Sequence, residues 1–120
     1  MSSGTVQQRN PEGVEPLNTE FVRNTGELHF SHEDVAINKT AAKYTVILVT
    51  TGAGNITITL PVAANTVGKV YAIKKIDVGA GNVIVDGDGG ETIDGAATQT
   101  IVAQWDVLMI FCDGVAWFII

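Results

Sequence analysis

Strict alternation of apolar and polar residues constrains the fold of this chain more than any other feature. The alternation is clearest at Ile56–Leu60, which reads Ile, Thr, Ile, Thr, Leu, and it returns at Thr98–Val102. A period of two places every second side chain on the same face of a β-strand. No segment after Lys43 has a convincing helical period. The chain is therefore predicted to be all-β.

Clusters of glycine, aspartate and asparagine divide the same region into short strands. Turn sequences at 51–55, 79–82 and 86–90 separate β-branched and apolar runs, and Asp113-Gly114 between two apolar runs is a strong hairpin signal. About eight strands with such connections predict an antiparallel β-sandwich or a jelly-roll-like domain.

Composition divides the 120 residues into two parts. Residues 1–43 are expected to form an N-terminal arm with a short first strand at 27–30, because the first 16 residues are polar and rich in turn formers. A weak capping signal at 31–34 favours one helical turn. Residues 44–120 are expected to form the β-sandwich domain.

The last two predicted strands, 107–112 and 115–120, are apolar on both faces. A sheet with one solvated face would alternate, so either both faces lie inside one domain or one face packs on a neighbouring subunit. We favour the subunit contact, and we place Trp117 in the core over a sugar-stacking role. The residues assigned to the core or the oligomer interface are Trp105, Trp117, Phe118 and Ile119, and for Trp105, at a turn, an exposed surface position is an equal alternative.

Charge and composition disfavour several functional classes. The formal net charge is −6 with only seven scattered basic residues, which argues against binding to a phosphate backbone. No apolar run approaches the roughly 18 residues that span a bilayer, and no signal peptide is visible. The one cysteine, Cys112, lies in an apolar run and is predicted to be a buried core thiol, which fits folding in a reducing cytosol.

Two groups of residues could carry metal chemistry. The acidic and glycine-rich segment 86–91, with Asp94 beyond it, could wrap a calcium ion, but a β-turn cluster explains the same residues better. His29 and His32 lack a third ligand nearby. No nucleophile motif is present. We expect no catalytic residue, no metal and no cofactor.

Five segments, in this order, resemble a recurrent module of tailed-phage tail fibres, head fibres and capsid decoration proteins. The module has an alternating strand that ends in Leu-Pro, a Gly-Lys strand that ends in paired lysines, a short apolar strand, a Thr-Ile-Asp-Gly turn and a closing hairpin. The matching segments are Ile56–Pro61, Gly68–Lys75, Asn82–Asp86, Glu91–Gly95 and Asp113–Ile119. The resemblance covers residues 44–120 and implies a homotrimeric β-domain on a virion without catalytic residues.

Three functions are compatible with this resemblance and these residues. In the first, the chain is a capsid decoration (cement) protein, made in the host cytoplasm, whose homotrimers bind the major capsid protein on the outer shell. The alternatives are a tail-fibre tip that recognises a host surface and a small carbohydrate-active enzyme or lectin. Decoration is favoured because residues 1–43 contain no shaft repeat. The segment expected to contact the capsid includes Val6, Val14, Leu17 and Phe21.

Overall fold

The computed structural model describes Phe21–Val22 and residues 27–120, and these residues are almost entirely β-structure. The expectation of an all-β chain is confirmed. One short 3-10 turn, Ala63–Asn65, is the only helical element among the described residues, and none of them forms a helix fit to cross a bilayer. The strands are β1 (Phe21–Val22), β2 (Leu28–His29), β3 (His32–Val35), β4 (Lys39–Thr40), β5 (Val46–Val49), β6 (Ile56–Thr59), β7 (Val70–Lys75), β8 (Val83–Asp86), β9 (Thr98–Ile101), β10 (Val107–Cys112) and β11 (Trp117–Ile119).

Successive strands from β3 to β8 alternate between two sheets. The five-stranded sheet has the order β11-β10-β7-β5-β3, and the four-stranded sheet has the order β4-β6-β8-β9. Each strand of one sheet is followed by a strand of the other, so the chain winds through three coils. As a result β3, β5 and β7 are parallel to one another, as are β4, β6 and β8. The strands β1 and β2 pair separately.

The expectation of an antiparallel fold is therefore wrong for the middle of the chain. It holds for the C-terminal strands, since β9 pairs with β8, and β10 with both β7 and β11, in antiparallel ladders. Parallel neighbours need a long crossover between them. Here the crossover is a strand of the opposite sheet. Alternation in the sequence does not show whether the next strand pairs with the previous one as a hairpin or lies in the other sheet.

The turns of adjacent coils stack on one another through a repeated sequence. Gly-Ala-Gly-Asn occurs at 52–55 and again 27 positions later at 79–82, and the β6–β8 ladder has the same offset, because Ile56 pairs with Val83. The Gly81 N–H donates to the Gly52 carbonyl at 3.0 Å. The repeat thus marks equivalent positions in two successive coils.

A single core lies between the two sheets. On β7 the inward residues are Tyr71, Ile73 and Lys75, and each is buried. On β6 the two isoleucines point inward while the two threonines are half-exposed. Both sheets contribute to one continuous cluster of buried side chains. Tyr71 and Trp117 are its largest members, with ring centroids 5.6 Å apart.

The expected boundary at residues 43 and 44 does not divide this fold. Strands β3 and β4 lie before it, yet they pair with β5 and β6 and form the first coil. Val35 and Ala41 belong to the core. The helical turn expected near 31–36 is also wrong, because β3 buries Val35 against the core and half-buries Glu33. Burial of alternate residues beside β5 outweighs a weak capping signal.

Candidate subunit interface

The outward side of the five-stranded sheet is apolar. Residues directly opposite each other in a ladder share a face, which places Phe118, Phe111 and Val70 in one row. The next row contains Met109, Ala72 and Val46. We call the whole set the outer apolar face: Val46, Leu48, Val70, Ala72, Val107, Met109, Phe111 and Phe118.

Several members of the outer apolar face are well exposed in one chain. Val107 is 53% exposed, Met109 43% and Phe118 42%. Charged residues enter the last of the rows given by the ladders, in which Lys74 lies between Val107 and Leu48 and Asp34 stands at the edge. Lys74 is paired with Val107, and its amine donates to the Trp105 carbonyl at 2.9 Å, while Asp34 lies on the edge strand β3 beside Leu48. A contiguous apolar surface with polar margins is typical of a protein–protein contact.

The outward side of the four-stranded sheet is polar. Its ladders place Thr57 beside Ile84 and Thr100, and Thr59 beside Asp86 and Thr98. The same chain therefore has one apolar sheet face and one polar sheet face on opposite sides of a common core. This difference makes the apolar face the better candidate for association.

The four residues that the sequence assigned to core or interface occupy different environments. Trp117 is completely buried in the core of one chain, so its ring cannot contact a partner. Phe118 lies on the outer apolar face. Ile119 pairs with the buried Ile110 and is 39% exposed at the inner rim of the sheet. Trp105 is exposed in the loop between β9 and β10.

The expected capsid-contacting residues mostly lie outside the described part of the chain. Val6, Val14 and Leu17 precede it. Phe21 is in β1, whose backbone pairs with β2 through the register Phe21–His29. Their role stays a prediction.

The acidic residues between β8 and β9 have structural contacts. Both carboxylate oxygens of Glu91 accept the Ala63 N–H at 3.1 Å, at the start of the 3-10 turn. Asp94 accepts the Ile119 N–H at 3.0 Å, and its own N–H donates to the Trp117 carbonyl. The Thr-Ile-Asp-Gly turn therefore covers part of the outer edge of β11.

Among the residues that the structure describes, no three His, Cys, Asp or Glu side chains come together as a metal-binding cluster. His29 contacts Glu27 at 3.0 Å and His32 lies 4.0 Å from Asp34, so each histidine is associated with a separate carboxylate.

A buried polar cluster joins the turns of the second and third coils. The Lys75 amine is almost fully buried and donates to Thr51 Oγ1, to the Gly79 carbonyl, and to both the carbonyl and the carboxylate of Asp77, at 2.9–3.1 Å. The Asp77 carboxylate also accepts the N–H groups of Gly52, Thr51 and Gly79. The hydrogen bonds from these backbone groups hold the pKa of Asp77 well below its usual range, and the bond from Gly52 has the largest effect. The bond from the Lys75 amine lowers the pKa as well.

Sequence reasoning missed both the stacking of coils and this cluster. Adjacent residues of a strand point to opposite faces, and of the paired lysines Lys74 and Lys75 in β7 the second is the buried one. The signal that could have revealed the coils is the repeat of Gly-Ala-Gly-Asn at 27 positions, because a repeat of turn residues indicates repeated supersecondary units.

Comparison of the chain with protein-family models, with curated proteins and with solved structures gave no match.

Proposed function

We propose that this chain is a non-enzymatic structural protein of a tailed-phage virion, and that it works as a homotrimer decorating the outer capsid shell. The observation that carries the proposal is the outer apolar face, which is exposed on one sheet while the other sheet is polar. Burying such a face against copies of the same chain removes apolar surface from water. The three-fold number rests on the resemblance.

The positions of the resembling segments agree with a structural role for them. Ile56–Pro61 contains the inner strand β6, and Gly68–Lys75 contains the central strand β7. Glu91–Gly95 supports the edge of β11, and Asp113–Ile119 forms the closing hairpin. These four segments therefore build a sheet or support its edge.

Attachment to the shell is assigned to the N-terminal segment from Val6 to Phe21. A trimer would present three such segments, and once one is bound the others act at a high effective concentration. Weak individual contacts with the major capsid protein then add up to stable attachment. Bridging of several capsid subunits by one trimer would stabilise the shell mechanically.

The experiment is cryo-electron microscopy of virions that contain this chain, compared with virions that carry a version lacking residues 1–20. The proposal expects trimeric density on the outer shell of the first particles and none on the second, while the truncated protein still purifies as a folded trimer. Density at the tail tip would support the tail-fibre alternative. Normal decoration by the truncated chain would refute the role of the arm.

A further inference from the structure

Trp105 is displayed in an unfavourable backbone conformation. Its φ angle is 74°, a left-handed value that bulky residues avoid, and its side chain is 58% exposed. The backbone on both sides is fixed, because the Trp105 N–H donates to the Lys75 carbonyl at 2.7 Å and the Trp105 carbonyl accepts the Lys74 amine. A rigid, exposed tryptophan in a strained position points to a function for the ring.

An open pocket of about 520 Å³ lies at the opposite end of the same sheet. It adjoins the starts of β3, β5 and β7, and its apolar walls are Phe30, Ala42, Val67 and Val70. Val70 is also a member of the outer apolar face, so the pocket is continuous with that face. Its volume is within the range of about 300–1,000 Å³ that holds an organic ring system. The Lys69 amine in the wall lies 5.2 Å from the Tyr71 ring and donates to the Lys43 carbonyl and to Thr45 Oγ1.

We infer that Trp105 of one copy inserts into this pocket of the next copy, so that the trimer closes head to tail. Trp105 and the pocket lie at the two ends of β7, about 20 Å apart at ~3.3 Å per residue, so one chain cannot make the contact with itself. A contact between two different patches repeats from copy to copy, and it closes into a ring when the rotation between neighbouring copies returns the last copy to the first.

This inference rests on the proposed function for the trimer, and it adds which two patches meet. A buried aromatic anchor in a pocket is the usual form of an energetically dominant contact, and tryptophan is among the residues most enriched there. The apolar face beside the pocket would then exclude water from the anchor.

A cysteine pair tests the contact. The double variant Trp105→Cys with Ala42→Cys is made in the full chain, whose native Cys112 is buried, and is oxidised mildly. The expected result is a covalent trimer on a non-reducing gel, with neither single variant giving it. A covalent dimer as the largest product would overturn the inference, since it indicates face-to-face pairing. If light scattering shows a trimer but no cross-link forms, the inference about Trp105 and the pocket is overturned and the proposed function is unaffected. A monomeric mass for the unmodified chain would overturn both.

A second measurement avoids dependence on disulfide geometry. Trp105→Ala should raise the dissociation constant of the trimer by about thirty-fold or more, as expected for an anchor residue. Thr100→Ala, on the polar face, is the matched control and should leave it unchanged. Equal dissociation constants for Trp105→Ala and the unmodified chain would contradict the inference.

Discussion

The Lys75 amine donates to the Asp77 carboxylate at 3.0 Å, and this pair holds two stacked turns together. Thr51 and Gly52 belong to the earlier turn, and Gly79 belongs to the later one; all three bond to the pair. A lysine is rarely buried unless its donors are satisfied. Here they are satisfied, so the cluster fixes how the second and third coils align.

Removing the buried amine should destabilise the fold. In Lys75→Met the methionine fills similar space, but the Gly79 and Asp77 carbonyls and Thr51 Oγ1 lose their shared donor. Leaving buried acceptors unpaired costs about 1–3 kcal/mol, and we expect a loss of that order in urea unfolding. Lys74→Met, on the outward side of the same strand, is the control. Equal unfolding midpoints for the two variants would contradict the role of the cluster.

Asp77 should make stability dependent on pH in the acid range. Its folded-state pKa lies below the ordinary 3.8 because the carboxylate accepts backbone N–H groups, chiefly from Gly52 and Thr51, and bonds to Lys75. A carboxyl with a lowered folded-state pKa stabilises the fold above its unfolded pKa, and the contribution is lost as the pH falls from about 4 through the folded value.

The measurement for this prediction is the difference in melting temperature between the unmodified chain and Asp77→Asn. The difference should be largest near neutral pH and shrink below about pH 4. Asp88→Asn, in the turn after β8, serves as the comparison and should give a much smaller difference at neutral pH. A difference for Asp77→Asn that stays constant between pH 7 and pH 3 would count against the assignment.

Two equivalent glycines of the repeated turn should differ in their tolerance of a methyl group. A Cβ on Gly81 would overlap the Gly54 carbonyl of the coil beneath, whereas a Cβ on Gly54 meets nothing within 4 Å. We expect Gly81→Ala to destabilise the protein by roughly 1–3 kcal/mol, as overpacking does, and Gly54→Ala to have little effect. Thermal unfolding of the two variants measures this, and equal melting temperatures would show that the coils do not stack closely.

Strand positions were predictable where alternation was strong, and the pairing between strands was not. Ile56–Leu60 and Thr98–Val102 were expected as strands and contain β6 and β9. Periodicity reports which face of a strand is buried, but not which strand lies beside it. The neighbours of β6 are β4 and β8, and neither is the strand next to it in the chain, because the chain crosses to the other sheet in between.

The candidate interface was predictable in part. Apolar residues on both faces of 107–112 indicated a second buried surface, and Met109 and Phe111 do lie on the outward side. The same reasoning placed Trp117 in the core but did not assign a face to Phe118, because adjacent residues exchange faces with a one-residue change in register. The ladder register Cys112–Trp117 decides it and directs Trp117 into the core.

The most direct test of the central claim is the solution mass of Met109→Asp, measured by multi-angle light scattering with circular dichroism to verify the fold. Met109 lies in the middle of the outer apolar face, and a carboxylate there would have to be buried unpaired on association. We expect three times the 12.7 kDa chain mass for the unmodified protein and for Thr100→Asp, and the mass of one folded chain for Met109→Asp. A Met109→Asp protein that remains trimeric would contradict the claim that copies associate through this face.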